Sequence, residues 1–281
     1  MAVERPVAVV TGACGGMGRA IARQLGRRYD LSLSDVSVLR LEAFAETLRE
    51  EGYVVSALTP GDIAEPGVAA EQVAAARAAG PLRAVAHTAG VSPALGPWDA
   101  ILRANVMGTE RLLLALEDGL ESGLAMVMIA SVAGHFADKV AEVDAIMTAP
   151  LSPDFLQRMK PHLETLTKAE DQFGVSQPAY AQSKRAVIRN CEGRAPAWAD
   201  RGARIITLSP GLMWTPMGRA EADANPAAAR LGQNTPIGRW GTSLDIANAI
   251  DFLVSDVAGF ISGTDLRIDG AVTPAVRGVV F

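Results

Sequence analysis

Short apolar runs alternate with longer helix-like segments along most of this chain, and this alternation constrains the fold more than any other feature. The runs predicted to be strands are residues 7–10, 31–33, 53–58, 84–86, 125–130, 204–208 and 266–268. Residues 19–29, 40–51, 67–79 and 101–116 have the apolar spacing of helices. Strands that read as continuous apolar runs are typical of parallel strands buried on both faces. The sequence therefore predicts an α/β protein built on a doubly wound parallel sheet.

The amount of apolar sequence bears on the number of domains. The 281 residues, 49% of them hydrophobic, can fill one sizeable core. Since no repeat or linker divides the chain, residues 1–281 are predicted to form a single domain. Residues 135–177 break the alternation, because they are polar and helix-prone and are interrupted by Pro150, Pro153 and Pro161. We expect a helical insertion there, since a structureless loop of that length is uncommon.

A glycine-rich turn follows the first predicted strand, from Thr11 to Gly18. Glycines there permit a tight turn and let the backbone approach a pyrophosphate closely. The helix that begins near Met17 points its free N–H groups and its positive dipole end at that anion. Placement between a strand and a helix favours a dinucleotide site in a Rossmann fold. The residues predicted to contact the cofactor are Gly12, Cys14, Gly16, Met17 and Gly18, with Cys14 as a small residue tolerated beside a phosphate.

Asp35 lies at the end of the second predicted strand, 17 residues after Gly18. An acidic residue near this position accepts hydrogen bonds from the adenosine ribose hydroxyls and repels a 2′-phosphate. Val36 follows it, and residues 13–17 contain no basic side chain. The sequence therefore favours NAD over NADP. The alternative is that Asp35 only caps the following helix.

Tyr180 and Lys184 are four residues apart, a spacing that places both on one face of a helix. A nearby ammonium favours tyrosinate, so Lys184 is expected to lower the pKa of the Tyr180 phenol from about 10. A tyrosine in that state can exchange a proton with an alcohol or carbonyl oxygen. Alone, this pair is common on any helix.

Together with the glycine-rich turn, the Tyr-x-x-x-Lys pair resembles the short-chain dehydrogenase/reductase family in its single-domain branch. The resemblance extends over residues 7–270. Asp62, followed by Ile63, matches the family's adenine-contacting acid. Further matches are Thr88, Ala89 and Gly90 at the family's Asn-Ala-Gly turn, Asn105 and Ser131 at catalytic positions, and Pro210, Gly211 and Thr215 in its Pro-Gly turn. Thr88 stands where the family usually has Asn, so the resemblance does not predict the packing around this residue.

The resemblance implies a role for each catalytic residue. Tyr180 is the general acid/base, and Lys184 depresses its pKa and binds the nicotinamide ribose. Ser131 hydrogen-bonds the substrate oxygen and stabilises developing charge there. Asn105 supports a water that links Lys184 to solvent, and Thr215 holds the nicotinamide carboxamide. Taken singly, Ser131 could also be a helix cap and Asn105 a core amide.

Ser131 and Tyr180 are 49 residues apart, more than in most of the family, because of residues 135–177. A subgroup similar to 3α-hydroxysteroid dehydrogenase/carbonyl reductase carries an insertion at this place. The insertion is expected to border the substrate pocket, with residues 212–235 as a second candidate lid. Both suggest a hydrophobic alcohol or ketone, including one of steroid size. Certain apolar residues either line the pocket or bury the insertion against its own domain: Ile146, Met147, Leu151, Phe155 and Met159.

The net charge and the cysteine and histidine content limit the kinds of molecule that the protein is expected to bind. A net charge of −5 and a pI of about 5.3 favour neither nucleic acid nor an anionic membrane. The two cysteines and three histidines have no metal-ligand spacing, so no metal is expected. No apolar run is long enough to span a bilayer, and no secretory signal precedes the first strand. The expectation is a cytoplasmic protein, and the resemblance implies a homodimer or homotetramer.

Two functional alternatives remain at this point. A catalytically inactive NAD-binding regulator or scaffold would keep the fold and lose the chemistry, and the presence of Ser131, Tyr180 and Lys184 argues against it. An epimerase or dehydratase would usually have a different glycine spacing and a longer C-terminal substrate domain. Net NADH production from an alcohol would separate a dehydrogenase from an epimerase.

Overall fold

A seven-stranded parallel sheet forms the centre of the protein in a computed structural model that describes residues 5–278, the side chain of residue 227 excepted. The strands are β1 (Val7–Thr11), β2 (Asp30–Ser34), β3 (Val55–Leu58), β4 (Leu82–His87), β5 (Ala125–Ile129), β6 (Arg204–Pro210) and β7 (Asp265–Ile268). Their order across the sheet is β3-β2-β1-β4-β5-β6-β7, and each pairs in parallel with its neighbours. The predicted doubly wound Rossmann fold is confirmed.

Helices connect the strands and cover both faces of the sheet. They are α1 (Gly16–Leu25), α2 (Val38–Glu50), α3 (Val68–Ala79), α4 (Trp98–Leu102), α5 (Thr109–Glu117), α6 (Val132–Phe136), α7 (Ala141–Ile146), α8 (Phe155–Leu166), α9 (Ser176–Ala199), α10 (Pro216–Ala224), α11 (Pro226–Gln233), α12 (Ser243–Leu253) and α13 (Val272–Val276). A π-helical segment, Arg103–Gly108, joins α4 to α5. The sequence pattern predicts one helix over residues 101–116 and gives no sign of this segment.

Other boundaries differ from the predictions for local reasons. The first helix begins at Gly16 instead of residue 19, because the glycine-rich turn passes directly into it, and it ends at Leu25. The third strand begins at Val55 instead of residue 53, since the Tyr53 amide still bonds the Leu48 carbonyl at the end of α2. These shifts leave the order of elements unchanged.

The sheet order reverses beside β1, where the chain crosses from β3 at one edge to β4 on the other side of β1. In open α/β sheets, ligands bind at the carboxyl ends of the strands where the order reverses. Thr11 and His87 end the two adjacent strands and are register partners. This reversal therefore positions the glycine-rich turn at the predicted ligand crevice.

Two hydrophobic clusters fill the space on either side of the sheet. On one face, Ile21 of α1, Phe44 of α2 and Ile250 of α12 pack over β1 and its neighbours. On the other face, Val73 of α3, Leu113 of α5 and Trp198 of α9 do the same. Every residue of β1 and β5 is buried, which accounts for their continuous apolar sequence.

Residues 135–177 contain α7 and α8, which add a third cluster beside α4 and α9. Ile146, Met147, Phe155 and Met159 are buried in it together with Ile101 and Leu102. Leu151 is 36% exposed. Among these five apolar residues, four therefore bury the insertion against the rest of the protein, as one of the two alternatives predicts.

Neither a membrane span nor a metal centre is found in the described chain. Across residues 5–278, no helix is long and apolar enough to cross a bilayer. The same residues contain no group of three or more His, Cys, Asp or Glu side chains that could hold a metal ion.

Candidate active site

The glycine-rich turn lies where β1 ends and α1 begins. Gly12 has a φ of +62°, and a Cβ built there would be 2.8 Å from the Ala89 amide nitrogen. A larger residue would be strained for both reasons. Gly15 caps α1 without a side-chain hydrogen bond, so the first N–H groups of the helix have no capping side chain. Such a helix start suits the binding of a pyrophosphate.

The Asp35 carboxylate is tied to this turn. Its Oδ2 accepts a hydrogen bond from the Cys14 amide at 2.9 Å, and its Oδ1 accepts one from the Ser37 amide at 3.3 Å. The N-cap of α2 is Ser37, so Asp35 is not the cap of that helix. The Asp35 carbonyl accepts from the Gly61 amide at 3.0 Å, which brings the exposed Asp62 to the same edge of the sheet. Ile63, the next predicted adenine-side residue, is buried.

Two arginines at this edge were missed by the sequence analysis. The Arg40 guanidinium donates to the Cys14 carbonyl at 2.9 Å, and Arg19 donates to the same oxygen at 3.2 Å. Both lie outside residues 13–17, the segment whose lack of basic side chains favours NAD. Arg19 lies only two residues beyond that segment, in α1. Arg40 reaches back from α2, and only the tertiary fold reveals its position.

The turn after β4 is bonded to the end of β1. The Thr88 hydroxyl donates to the Thr11 carbonyl at 2.6 Å, and the Thr88 and Ala89 amides both donate to the Thr11 hydroxyl at 3.1 Å. Thr88 therefore supplies a local hydrogen bond where the family's Asn usually stands. A Cβ built on Gly90 would be 3.0 Å from Asn105 Oδ1 and 3.6 Å from Lys184 Nζ. This turn thus lies between the glycine-rich loop and the catalytic candidates.

Tyr180 and Lys184 lie on α9, one turn apart, and face the same cleft. Lys184 Nζ donates to the Ile129 carbonyl at 2.8 Å and is 5.7 Å from the centroid of the Tyr180 ring. Ser131 is the N-cap of α6, and its hydroxyl also hydrogen-bonds Tyr180. The fold therefore brings Ser131, Tyr180 and Lys184 together, although 49 residues separate the first two.

The pKa values of this pair differ from the expectation. Burial raises the pKa of Tyr180, the carboxylate of Glu221 raises it further, and the hydrogen bond from Ser131 offsets only part of the rise. Burial also lowers the pKa of Lys184 to about 8. The expected lowering of the Tyr180 pKa by Lys184 is therefore not found, because both groups lose their solvation in the same apolar surroundings. Tyr180 is held in its protonated, proton-donating form.

Asn105 lies in the π-helical segment and is 1% exposed. Its Oδ1 accepts from the Val91 amide at 2.8 Å, while its Nδ2 donates to the Val91 carbonyl at 3.0 Å and to the Ser183 hydroxyl at 3.1 Å. The side chain thereby fastens the chain after Gly90 to α9, next to Lys184. A water relay through Asn105 stays a prediction.

The third side of the site comes from the chain after β6. Pro210 ends that strand, and the Gly211 amide donates to the Ile268 carbonyl at 2.9 Å. Thr215 caps α10 by accepting from the Gly218 amide at 3.1 Å. A Cβ built on Gly16 would be 2.9 Å from the Thr215 Cβ, so Thr215 meets the start of α1 directly. The predicted nicotinamide-side residues are therefore adjacent to the glycine-rich turn.

A cavity of about 460 Å³ connects these parts. It extends from Met17 and Gly90 to Ser131 and Tyr180. Residues 136–138 and 166–171 of the insertion contribute Phe136, Ala137 and Leu166, and the chain after β6 contributes Leu212, Met213, Met217 and Leu231. Both predicted border segments thus reach the cavity. The five apolar insertion residues named in the sequence analysis are not among the lining side chains of the described chain.

Comparison with known proteins assigns this arrangement to a family. The family model described as short chain dehydrogenase matches residues 6–143, and one described as Enoyl-(Acyl carrier protein) reductase matches residues 164–273. The short-chain dehydrogenase/reductase bsc3 of Alternaria brassicicola is 31% identical over 265 residues, 93% of either chain. The chain belongs to the short-chain dehydrogenase/reductase family. It is an oxidoreductase of that type, acting on alcohols and carbonyl compounds.

Two further similarities extend across most of this short-chain dehydrogenase/reductase. D-threitol dehydrogenase of Mycolicibacterium smegmatis is 30% identical, over 96% of this chain and 94% of that protein. A solved 7α-hydroxysteroid dehydrogenase, in complex with NADH and 7-oxo glycochenodeoxycholic acid, has a TM-score of 0.72 at 21% identity, covering 94% of this chain and 93% of its own. At that identity the likeness concerns the fold.

The residues of the site fit a nicotinamide dinucleotide. Gly12 and Gly16 leave no room for a side chain at the turn, and α1 presents its uncapped start to the same crevice. Asp35 is bonded to the same turn, and the cavity leads from Met17 to Tyr180. When bound, such a cofactor supplies or accepts a hydride. The chain's own residues must therefore hold the substrate and move the proton.

Proposed function

We propose that this protein is an NAD(H)-dependent oxidoreductase that interconverts a secondary alcohol and a ketone, with a hydrophobic substrate. The observation that carries the proposal is the continuous, mostly apolar cavity that joins the glycine-rich turn to Ser131 and Tyr180. Its volume lies within the range of small-molecule sites. The family assignment supports the reaction type, and the following arguments concern the cofactor, the residues and the substrate.

Tyr180 is proposed to donate the proton in ketone reduction and to accept it in alcohol oxidation. Its raised pKa keeps the phenol protonated at neutral pH, which favours donation to a carbonyl oxygen. The Ser131 hydroxyl bonds Tyr180 and can bond the same substrate oxygen, so that it stabilises the charge that develops there. Lys184, anchored to the Ile129 carbonyl, supplies positive charge beneath the phenol ring. Asn105 links the Ser183 side chain of α9 to the Val91 backbone, next to the Gly90 turn.

NAD(H) is proposed as the cofactor because a carboxylate, Asp35, stands at the end of β2. A negative group there accepts hydrogen bonds from ribose hydroxyls and repels a 2′-phosphate. Arg40 and Arg19 are the observation that favours NADP(H) as the second candidate, since guanidinium groups bind phosphate well. Both arginines, however, donate to the Cys14 carbonyl and thus use part of their hydrogen-bonding capacity within the protein.

The substrate class follows from the walls of the cavity. Phe136, Leu166, Met213, Met217 and Leu231 face it, and such side chains bind hydrocarbon by excluding water. We extend this to ketones and alcohols of steroid size, as in the subgroup similar to 3α-hydroxysteroid dehydrogenase/carbonyl reductase. We further propose a cytoplasmic homodimer or homotetramer without nucleic-acid or membrane partners. The two buried, unpaired cysteines fit a reducing compartment.

Titration of the purified protein with NAD(H) and NADP(H) tests the cofactor, with Asp35→Ala and Arg40→Ala as paired variants. We expect the parent to prefer NAD(H), Asp35→Ala to lose that preference and Arg40→Ala to keep it. A parent that prefers NADP(H), with the preference lost in Arg40→Ala, would overturn the assignment of NAD. Initial rates on 2-heptanol and on bulkier secondary alcohols then test the reaction. Cofactor binding without turnover of any alcohol or ketone would favour an inactive regulator.

A further inference from the structure

Glu221 is a charged group in the cavity that none of the roles above uses. It lies on α10 and faces the same cavity as Tyr180, within range to raise the pKa of that phenol. Its carboxylate enters no hydrogen bond or ion pair with another side chain within residues 5–278. Arg219, the cation of the same helix, lies over the Trp214 ring, 5.5 Å from the ring centroid.

The other charges around the cavity do not neutralise Glu221. Lys184 is bonded to the Ile129 carbonyl at 2.8 Å. Lys168 lies 3.9 Å from Asp138, and both of these side chains are more than half exposed. Burial alone raises the pKa of Glu221, with no cation opposing it. The site therefore contains a carboxylate without a counter-ion among mostly apolar walls, which costs free energy unless a ligand supplies the missing charge.

We infer that Glu221 is a specificity-determining residue that pairs with an ammonium group of the substrate. The inference rests on the proposed function and narrows it to amphipathic amino alcohols and the corresponding amino ketones. The hydrocarbon part of such a molecule would lie against Leu166, Met213 and Leu231, with its carbinol at Ser131 and Tyr180. A bound cation also weakens the repulsion between Glu221 and a tyrosinate at position 180, so it favours the proton transfer as well as binding.

The test compares three series of secondary alcohols of matched length: ω-amino-2-alkanols with three to five methylenes between the carbinol and the amine, 2-alkanols with methyl in place of the amine, and 2,ω-diols. Initial rates of NADH formation give kcat/KM for each. We expect the best amino alcohol to exceed its alkyl counterpart by about ten-fold or more, as for one new charge-assisted contact. Glu221→Gln should abolish that advantage, so that the ratio of kcat/KM for each amino alcohol to kcat/KM for its alkyl counterpart falls to about one.

Asp223→Asn is the matched control, because it removes the same charge from an exposed position of the same helix. It should keep the preference of the parent. Inhibition of 2-heptanol oxidation by n-hexylamine provides a measurement that needs no variant, and n-hexylamine should inhibit more strongly than 1-hexanol. Thermal unfolding establishes whether Glu221→Gln is folded.

The outcomes separate this inference from the proposed function. Turnover of 2-alkanols with no advantage for the amino alcohols, or an equal advantage for the diols, would overturn the ammonium assignment and leave the dehydrogenase intact. An advantage that survives in Glu221→Gln would also overturn it. Absence of turnover in all three series would contradict the proposed function itself, and the inference with it.

Discussion

The Thr11 hydroxyl lies 2.7 Å from His87 Nδ1 and begins a buried chain of hydrogen bonds from the glycine-rich turn to Asn105. His87 Nε2 is 2.9 Å from the Thr109 hydroxyl, which donates to the Asn105 carbonyl at 2.7 Å. Because the Thr109 proton is used in that bond, Thr109 accepts from Nε2–H, and Nδ1 accepts from Thr11. Burial lowers the pKa of His87 to about 3, which keeps the ring neutral.

Replacement of His87 by Phe should break this chain while keeping a ring in the core. We expect a loss of about 1–3 kcal/mol in the free energy of unfolding at pH 7, because two buried hydroxyls lose a partner. NAD(H) should also bind more weakly, since Thr11 positions the Thr88 and Ala89 amides. Urea unfolding and cofactor titration measure both effects. His162→Phe, outside the chain, serves as the control.

In His87→Phe, the free energy of unfolding should also depend less on pH in the acidic range. The pKa of His87 is lower in the folded protein than its ordinary value of 6.5, so the unfolded state binds the extra proton between pH 6.5 and about 3. Stability contributed by the neutral ring is therefore complete above pH 6.5 and is lost as the pH falls through that window. His87→Phe should show a shallower decline. An identical decline in parent and variant would contradict the assignment.

Tyr180→Phe should retain cofactor binding and lose the proton transfer. General acid–base catalysis contributes about 10²- to 10⁴-fold, so kcat should fall by that order with little change in the dissociation constant of NADH. Tyr53→Phe is the matched control, because Tyr53 packs at the edge of the core and away from the cavity. Comparable activity of Tyr180→Phe and the parent would remove Tyr180 from the mechanism.

Lys184 is expected to destabilise the protein that it activates. Its pKa is lowered by burial from 10.5 to about 8, so the unfolded state holds more protons than the folded state between these values. Stability should therefore rise as the pH increases from 8 to 10.5, by up to about 3 kcal/mol. In Lys184→Met this rise should disappear while activity is lost. Unfolding curves of parent and variant across that range provide the measurement.

Glu221→Gln should shift the pH dependence of alcohol oxidation toward acid. Oxidation needs Tyr180 without its proton. The Glu221 carboxylate raises the pKa of this phenol, whereas the hydrogen bond from Ser131 lowers it. Lys184 lies under the Tyr180 ring. Removal of the negative charge lowers the pKa, so the ascending limb of kcat/KM for a neutral alcohol should move to lower pH. An unchanged limb would show that Glu221 does not act on Tyr180.

The features that the sequence predicts well are local. The apolar run of β1, the turn from Thr11 to Gly18 and the spacing of Tyr180 and Lys184 each lie within a few residues, and their geometry follows from backbone sterics and helical periodicity. The order of these motifs also sufficed for the family, which the comparisons confirm.

The features that the sequence does not predict depend on distant parts of the chain. Arg40 reaches Cys14 only because α2 folds back on the glycine-rich turn. Glu221 lies near Tyr180 in the fold although the two are 41 residues apart in the sequence. The direction of the Tyr180 pKa depends on how fully the cleft excludes water, which no spacing encodes. The π-helical segment at Asn105 has an ordinary helical sequence pattern.

One carboxylate of the insertion forms two ion pairs with the catalytic helix, in addition to the apolar packing between them. Asp144 of α7 forms ion pairs with Arg185 and Arg189, the first of which follows Lys184 directly. The segments that border the cavity lie on either side of this attachment, at residues 136–138 and 166–171. In evolutionary terms, residues that border the cavity can change and so admit new substrates, while the attachment holds Tyr180 and Lys184 in place. Substitutions in the insertion can therefore alter substrate specificity without altering the proton transfer.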